Sequence, residues 1–144
     1  MRVLADTSVL VAAMIESHPD HGRAFPWLRQ AVAGEVALVV SAHSLLETYA
    51  VLSTIPVRPR IRPDTARRLI RDNIEAVATM VELDLADCQA ILGDMSAMAL
   101  SGGVVCDALA ARATRKAAVD KLVTLNPADF RRVWPEESDR IVEP

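Results

Sequence analysis

Five polar residues in this chain have the types and positions to do chemistry together: Asp6, Glu47, Asp107, Asn126 and Asp129. Asp6 ends a short apolar run, and Glu47 sits in Leu45-Leu46-Glu47-Thr48-Tyr49. Asp107 follows the pair Gly102-Gly103, and Asn126 and Asp129 follow a second apolar run. Singly, each has an ordinary structural use. Asp6 suits a helix N-cap, Glu47 a solvent-facing helix position, and Asp107 a helix N-terminus. Asn126, Pro127 and Asp129 suit the N-cap, N1 and N3 positions of one helix. Gathered at one edge, the same carboxylates repel and raise one another's pKa unless a cation neutralises them. Their oxygens are the ligands that hard Mg2+ or Mn2+ prefers.

The elements needed to gather them are legible. Arg2 to Ala5 is a short apolar run that suits a buried strand, with a helix starting at Asp6 or Thr7. Val36 to Val40 is a second strand, and Ser41 caps a helix from Ala42 to Thr54 that ends before Pro56. The three prolines of Ile55 to Pro63 make a loop. Asp64 then caps a helix with Ala66, Leu69, Ile70, Ile74 and Val77 on one face. Thr79 to Leu83 reads as a third strand. Residues Asp84 to Leu100 place Leu85, Cys88, Leu92, Met95 and Ala99 at a 3-4-3-4 spacing, which predicts a helix. After the glycine pair, an alanine-rich helix runs from Val105 to Ala118. Lys121 to Leu125 is the last clear strand, and a short helix follows from Pro127. Strands alternating with helices predict an α/β fold with a mainly parallel sheet. In such sheets ligands bind beyond the carboxyl ends of the strands, where these polar residues fall.

Length and composition bound the answer. At 144 residues, 51% of them apolar, the chain fits one domain spanning 1–144 with a core built on aliphatic side chains, since only 3% are aromatic. No apolar run approaches the roughly 20 residues of a membrane span, and Asp6 interrupts any signal-peptide pattern. Two cysteines, Cys88 and Cys106, make no disulfide framework, so a reduced cytoplasmic protein is expected. The net charge of −3 argues against nucleic acid, but the distribution argues for it. Residues 58–71 carry six Arg against Asp64, and residues 112–132 carry six cations against Asp120 and Asp129. Of these, Arg112, Arg115 and Lys116 share a helix with Asp107 and are the favoured RNA contacts. Arg67, Arg68 and Arg71 fit a solvated face paired with acids one turn away.

Asp6-Thr7-Ser8-Val9-Leu10, Glu47 in its Leu-Leu-Glu-Thr helix, Asp107-Ala108 and Val123-Thr124-Leu125-Asn126-Pro127-Ala128-Asp129-Phe130 follow in this order along the whole chain. That pattern resembles the PIN-domain family, and within it the VapC toxins of bacterial toxin–antitoxin pairs. The resemblance implies a three-layer α/β/α sandwich and a metal-dependent endoribonuclease whose acidic residues correspond to Asp6, Glu47 and Asp107. It also implies a homodimer, a cognate antitoxin, and Ser8 and Thr124 as groups that orient water or ligands. Mg2+ or Mn2+ on those carboxylates would activate water for attack on phosphorus. The family often has Asp where this chain has Asn126. Asp129 is then a substitute, or Asn126 acts through water, and the second metal is in doubt.

Other readings are weaker. A haloacid-type phosphatase needs a second Asp two residues after the first, and that position is Ser8. A receiver-like module fits Asp84 and Lys121 poorly. No glycine-rich nucleotide loop is present. A PIN-like protein that has lost catalysis and only binds is the serious alternative, and Asn126 favours it. His18 and His21 read as surface residues, His43 as a group one turn from Glu47 able to orient it, and Cys106 as a packed thiol.

Overall fold

Why the sheet is buried on both faces follows from its strands, which are apolar at successive residues rather than alternate ones. The computed structural model describes residues 1–144. Its strands are β1 (Arg2–Ala5), β2 (Ala37–Ser41), β3 (Thr79–Val81), β4 (Lys121–Val123) and β5 (Ile141–Val142). All pair in parallel in the order β3-β2-β1-β4-β5. The helices are α1 (Thr7–Met14), α2 (His21–Val32), α3 (Ala42–Leu52), α4 (Pro63–Ile70), α5 (Leu85–Ala97), α6 (Val105–Lys116) and α7 (Pro127–Val133). A π-helical turn, Arg71–Glu75, prolongs α4.

The register sorts side chains into two layers. Leu4 pairs with Val39 and Leu122, and all three point into one core, packed by Ile91 and Met95 of α5, the alanines of α6, and Phe130 of α7. Val3, Ala5, Leu38, Val40 and Val123 point into the other, packed by α1, α2, Leu52 of α3 and Ala66 and Ile70 of α4. This is the three-layer α/β/α sandwich with a parallel central sheet. No helix is long and apolar enough to cross a membrane.

Three elements depart from the sequence expectation. α2 crosses Pro26 in its interior, which hides it from a helix-periodicity reading. β5 is two residues long, too short to carry a pattern. On α5 most of the apolar stripe faces outward, Met95 excepted: Leu85 is 73% and Leu92 62% exposed, and Cys88 is exposed. The buried face is Asp87, Ile91 and Met95.

Asp87 is the reason for that rotation. It is 5% exposed, closes a capping box with Asp84, and accepts Arg112 Nε at 2.9 Å and Lys116 Nζ at 2.6 Å. Lys116, the Asp84 amide and Arg112 hold its carboxyl well below the usual carboxylate range. A buried carboxylate needs such partners, and they bind α5 to α6 in the one rotation that brings them together. The exposed stripe therefore contributes little to the isolated chain. At concentrations where the chain is monomeric, Ile91→Ala should lower unfolding free energy by about 2–5 kcal/mol. Leu85→Ala should change it by less than about 0.5 kcal/mol. Urea denaturation compares the two, and equal costs would contradict this placement of α5.

Candidate active site

The strand order makes a crevice beside β1. Chain from β1 leaves through α1 and α2 on one face, whereas α5 and α6, on the other face, lead into β4. Between the carboxyl ends of β1 and β4 no helix crosses, which is where open parallel sheets bind ligands. A groove of about 520 Å3 opens there, lined among others by Asp6, Ser8, Glu47, Asp107, Leu125 and Asn126.

Asp6 sits at the N-cap of α1, yet its side chain caps nothing. Its Oδ2 accepts the Ser8 hydroxyl at 2.8 Å and the Thr124 hydroxyl at 3.0 Å. Each hydroxyl in turn accepts a backbone N–H: Ser8 from Leu125 at 3.1 Å, Thr124 from Asn126 at 3.0 Å. With their lone pairs so engaged, both hydroxyls are oriented to donate to Asp6. Neither hydroxyl reaches Oδ1, and the Thr7 and Ser8 amides also favour the charged carboxylate. Burial pushes the Asp6 carboxyl up, and the Ser8 and Thr124 hydroxyls pull it back.

Glu47 arrives from α3, whose start is fixed by Ser41 Oγ accepting the Ser44 N–H. Asp107 arrives in the first turn of α6, after Gly102 turns the chain at φ 76°. Its carboxyl is pushed up to about 6, first by burial, then by the charges of Asp6, Asp129 and Glu47, against the pull of Arg132. Asp6, Glu47 and Asp107 are thus brought together, and Asp107 feels the charge of the other two. Three carboxylates on one groove suit a hard divalent cation, with the raised Asp107 the group most in need of one.

The remaining expected residues divide. Asn126 lines the groove, and its side chain does not cap α7. Asp129 is exposed, pairs with Arg132 at 3.7 Å, and lies outside the groove wall although its charge reaches Asp107. Arg112, Arg115 and Lys116 are not brought to the groove. Arg112 and Lys116 are tied to Asp87, while Arg115 lies over the Trp134 ring at 5.3 Å and pairs with Glu136. Arg115 also stands roughly 12 Å along α6 from Asp107, at 1.5 Å per residue. Sharing a helix with Asp107 was a poor guide, because helices here start at the site and end at the far edge of the sheet. His18, read from sequence as a surface residue, lines the groove together with Asp20. Cys106, read as packed, is exposed beside Glu47.

The raised Asp107 has a measurable sign. Its folded pKa lies above the unfolded value of 3.8, so its contribution to stability is complete below that value and is lost as pH rises through about 6. In EDTA, side-chain carboxyl NMR should show Asp107 titrating near pH 6, and in Asp6→Asn it should move back toward 3.8. A midpoint below 4.5 in the native chain would remove the crowding inferred here.

The model of the PIN domain family matches residues 3–133. Ribonuclease VapC40 of Mycobacterium tuberculosis is 31% identical over 139 residues, covering 96% of this chain and 95% of that one. Ribonuclease VapC27 of the same organism is 29% identical over 108 residues, covering 75% and 73%. Two solved structures share the fold. VapC20 of Mycobacterium tuberculosis, described as a Sarcin-Ricin loop cleaving toxin, superposes with a TM-score of 0.65 at 16% identity over 83% of this chain and 86% of that one. A chain of the Rickettsia felis VapBC2 complex, bound to a DNA fragment from its promoter, gives 0.69 at 17% identity over 100% and 99%. The chain belongs to the PIN-domain family, and within it to the VapC ribonuclease type.

Proposed function

We propose that the protein is a metal-dependent endoribonuclease and the toxin of a toxin–antitoxin pair. The observation that carries this reading is the groove in which Asp6, Glu47 and Asp107 converge from three separate elements. Mg2+ or Mn2+ held by these residues would make water a nucleophile at neutral pH and neutralise charge on the phosphoryl oxygens. Asp6 is the fixed ligand, because Ser8 and Thr124 lock its orientation. Asp107, pushed up to about 6, is the carboxyl whose charged form a neighbouring cation would stabilise most. Asn126 offers the groove a neutral amide that can donate to a phosphate or hold water. Asp129 adds negative field from outside. The relatives named ribonucleases support RNA as the substrate, and the VapBC2 complex supports a cognate antitoxin as partner. Apolar residues left exposed on α3 and α5, Leu46, Tyr49, Leu85 and Leu92, are available to that antitoxin and to a second copy in a homodimer. The neutral Asn126 favours a second reading, an inert PIN-like binding protein.

Cleavage of an RNA pool by purified, antitoxin-free protein separates the two. Discrete fragments should form with Mg2+ or Mn2+ and vanish with EDTA. Asp6→Asn should cut at least about 100-fold more slowly, the scale of losing several kcal/mol of metal-centred stabilisation. Its melting temperature should be unchanged or higher, since a neutral amide is easier to bury. A folded chain that neither cuts nor takes up metal would sink the enzyme reading.

Arg58 and Arg60 become the better candidates for RNA phosphates. Both are exposed, on the loop that continues from α3 past the groove residue Ile55, and neither has a carboxylate within 4 Å. On single-stranded RNA, Arg60→Gln should flatten the dependence of log affinity on log salt by about 0.7. Arg112→Gln should leave that slope alone and lower stability instead. The reverse pattern would restore α6 as the RNA face.

A further inference from the structure

Glu47 has neighbours that the acidic site does not use. His43 lies one turn before it on α3, and Cys106 faces both from the first turn of α6. One ligand atom from each of the three falls within 4.8 Å of the other two. His43 Nε2 is buried against Glu47 Oε1, yet makes no hydrogen bond of acceptable geometry. An imidazole nitrogen that makes no hydrogen bond thus lies against a carboxylate and beside a thiol.

We infer that His43, Glu47 and Cys106 form a second metal site, for a borderline ion of the Zn2+ class, on the wall of the acidic groove. The donor set decides the ion. Imidazole nitrogen and thiolate sulfur suit Zn2+ and its neighbours, and give Mg2+ nothing it prefers. Zinc bonds of 2.0–2.3 Å put tetrahedral ligand atoms roughly 3.5 Å apart, so the widest pair here closes by roughly 1 Å and the touching His43–Glu47 pair opens, both by side-chain rotation. Three protein ligands leave the fourth position to water. On binding, the Cys106 thiol gives its proton to solvent. Because Glu47 belongs to both sets, filling this site withdraws it from the hard-ion site. That consequence rests on the nuclease reading above, whereas the binding does not.

Co2+ is the probe, because its bond to thiolate gives a near-ultraviolet charge-transfer band. Chelator-treated full chain titrated with Co2+ should show that band at one equivalent. Cys106→Ser should abolish it, and Cys88→Ser, which alters the other thiol on α5, should keep it. His43→Asn should weaken Co2+ binding by about tenfold or more. Zn2+ should erase the band by displacement, and Mg2+ in large excess should not. No band in the unmodified chain, or one that follows Cys88 rather than Cys106, overturns the site. In the RNA assay, Zn2+ should inhibit cleavage in the presence of Mn2+, and the concentration needed should rise about tenfold or more in His43→Asn. A cobalt band without RNA cleavage would refute the nuclease reading alone. Cleavage without the band would refute only this site.

Discussion

Like charge confined in a half-dry crevice is the constraint on which the rest of the molecule depends. Asp6, Glu47 and Asp107 are separated in sequence by 41 and then 60 residues, and the chain brings them to one groove although Asp6 and Glu47 raise the cost of ionising Asp107. Such an arrangement survives only if the scaffold is determined by something stronger. Here it is the double-sided burial of β1, whose Val3 and Ala5 enter one core and whose Leu4 enters the other. Aliphatic packing on both faces holds the strand in register with β4. Register then puts Thr124 opposite Asp6, and the hydroxyl bonds follow.

Those bonds divide the work among the carboxylates. Burial raises the Asp6 carboxyl, and two oriented hydroxyls pull it back part of the way. Asp107 is raised by burial and by its neighbours' charges, to about 6. One group is therefore kept in place by hydroxyl donors, and the other is the one whose charge a cation would relieve. Asn126 belongs in the same account. A fourth carboxylate at the end of β4 would stand beside Asp6 and Asp107 and raise both further. A neutral amide in that position relieves the repulsion, while Asp129, held back by Arg132, supplies some negative field from a distance.

How much of this was legible in the sequence depended on the range of the interaction. Short apolar runs with helical caps predicted four strands within a few residues, and their carboxyl ends pointed to Asp6, Glu47, Asp107 and Asn126. Those signals are local. The errors came where a distant partner outweighed a local pattern. The stripe from Leu85 to Ala99 has the helical spacing of an apolar face. Asp87, reaching cations 25 and 29 residues away, turns the helix so that much of it faces water. The same pairing takes Arg112 and Lys116 out of the reckoning for RNA. Cys106 beside His43 was invisible for the same reason: nothing within either segment announces the other.

The three carboxylates also differ in how freely they can move, and this sets what each can serve. Asp6 has a short side chain with one oxygen fixed by two hydroxyls. Asp107 is short as well and sits on the first turn of a helix packed through its alanines into the core. Glu47 has an extra rotatable bond, stands on the groove wall, and is fixed by no hydroxyl or amide. Its close contacts are His43 Nε2, which lacks hydrogen-bond geometry, and the Cys106 thiol. Of the three, it alone can turn toward the oxygen ligands of Asp6 and Asp107 or toward the nitrogen and sulfur of His43 and Cys106. Competition between hard and soft cations at this groove therefore comes down to the rotamer of one glutamate, with the scaffold holding everything else still.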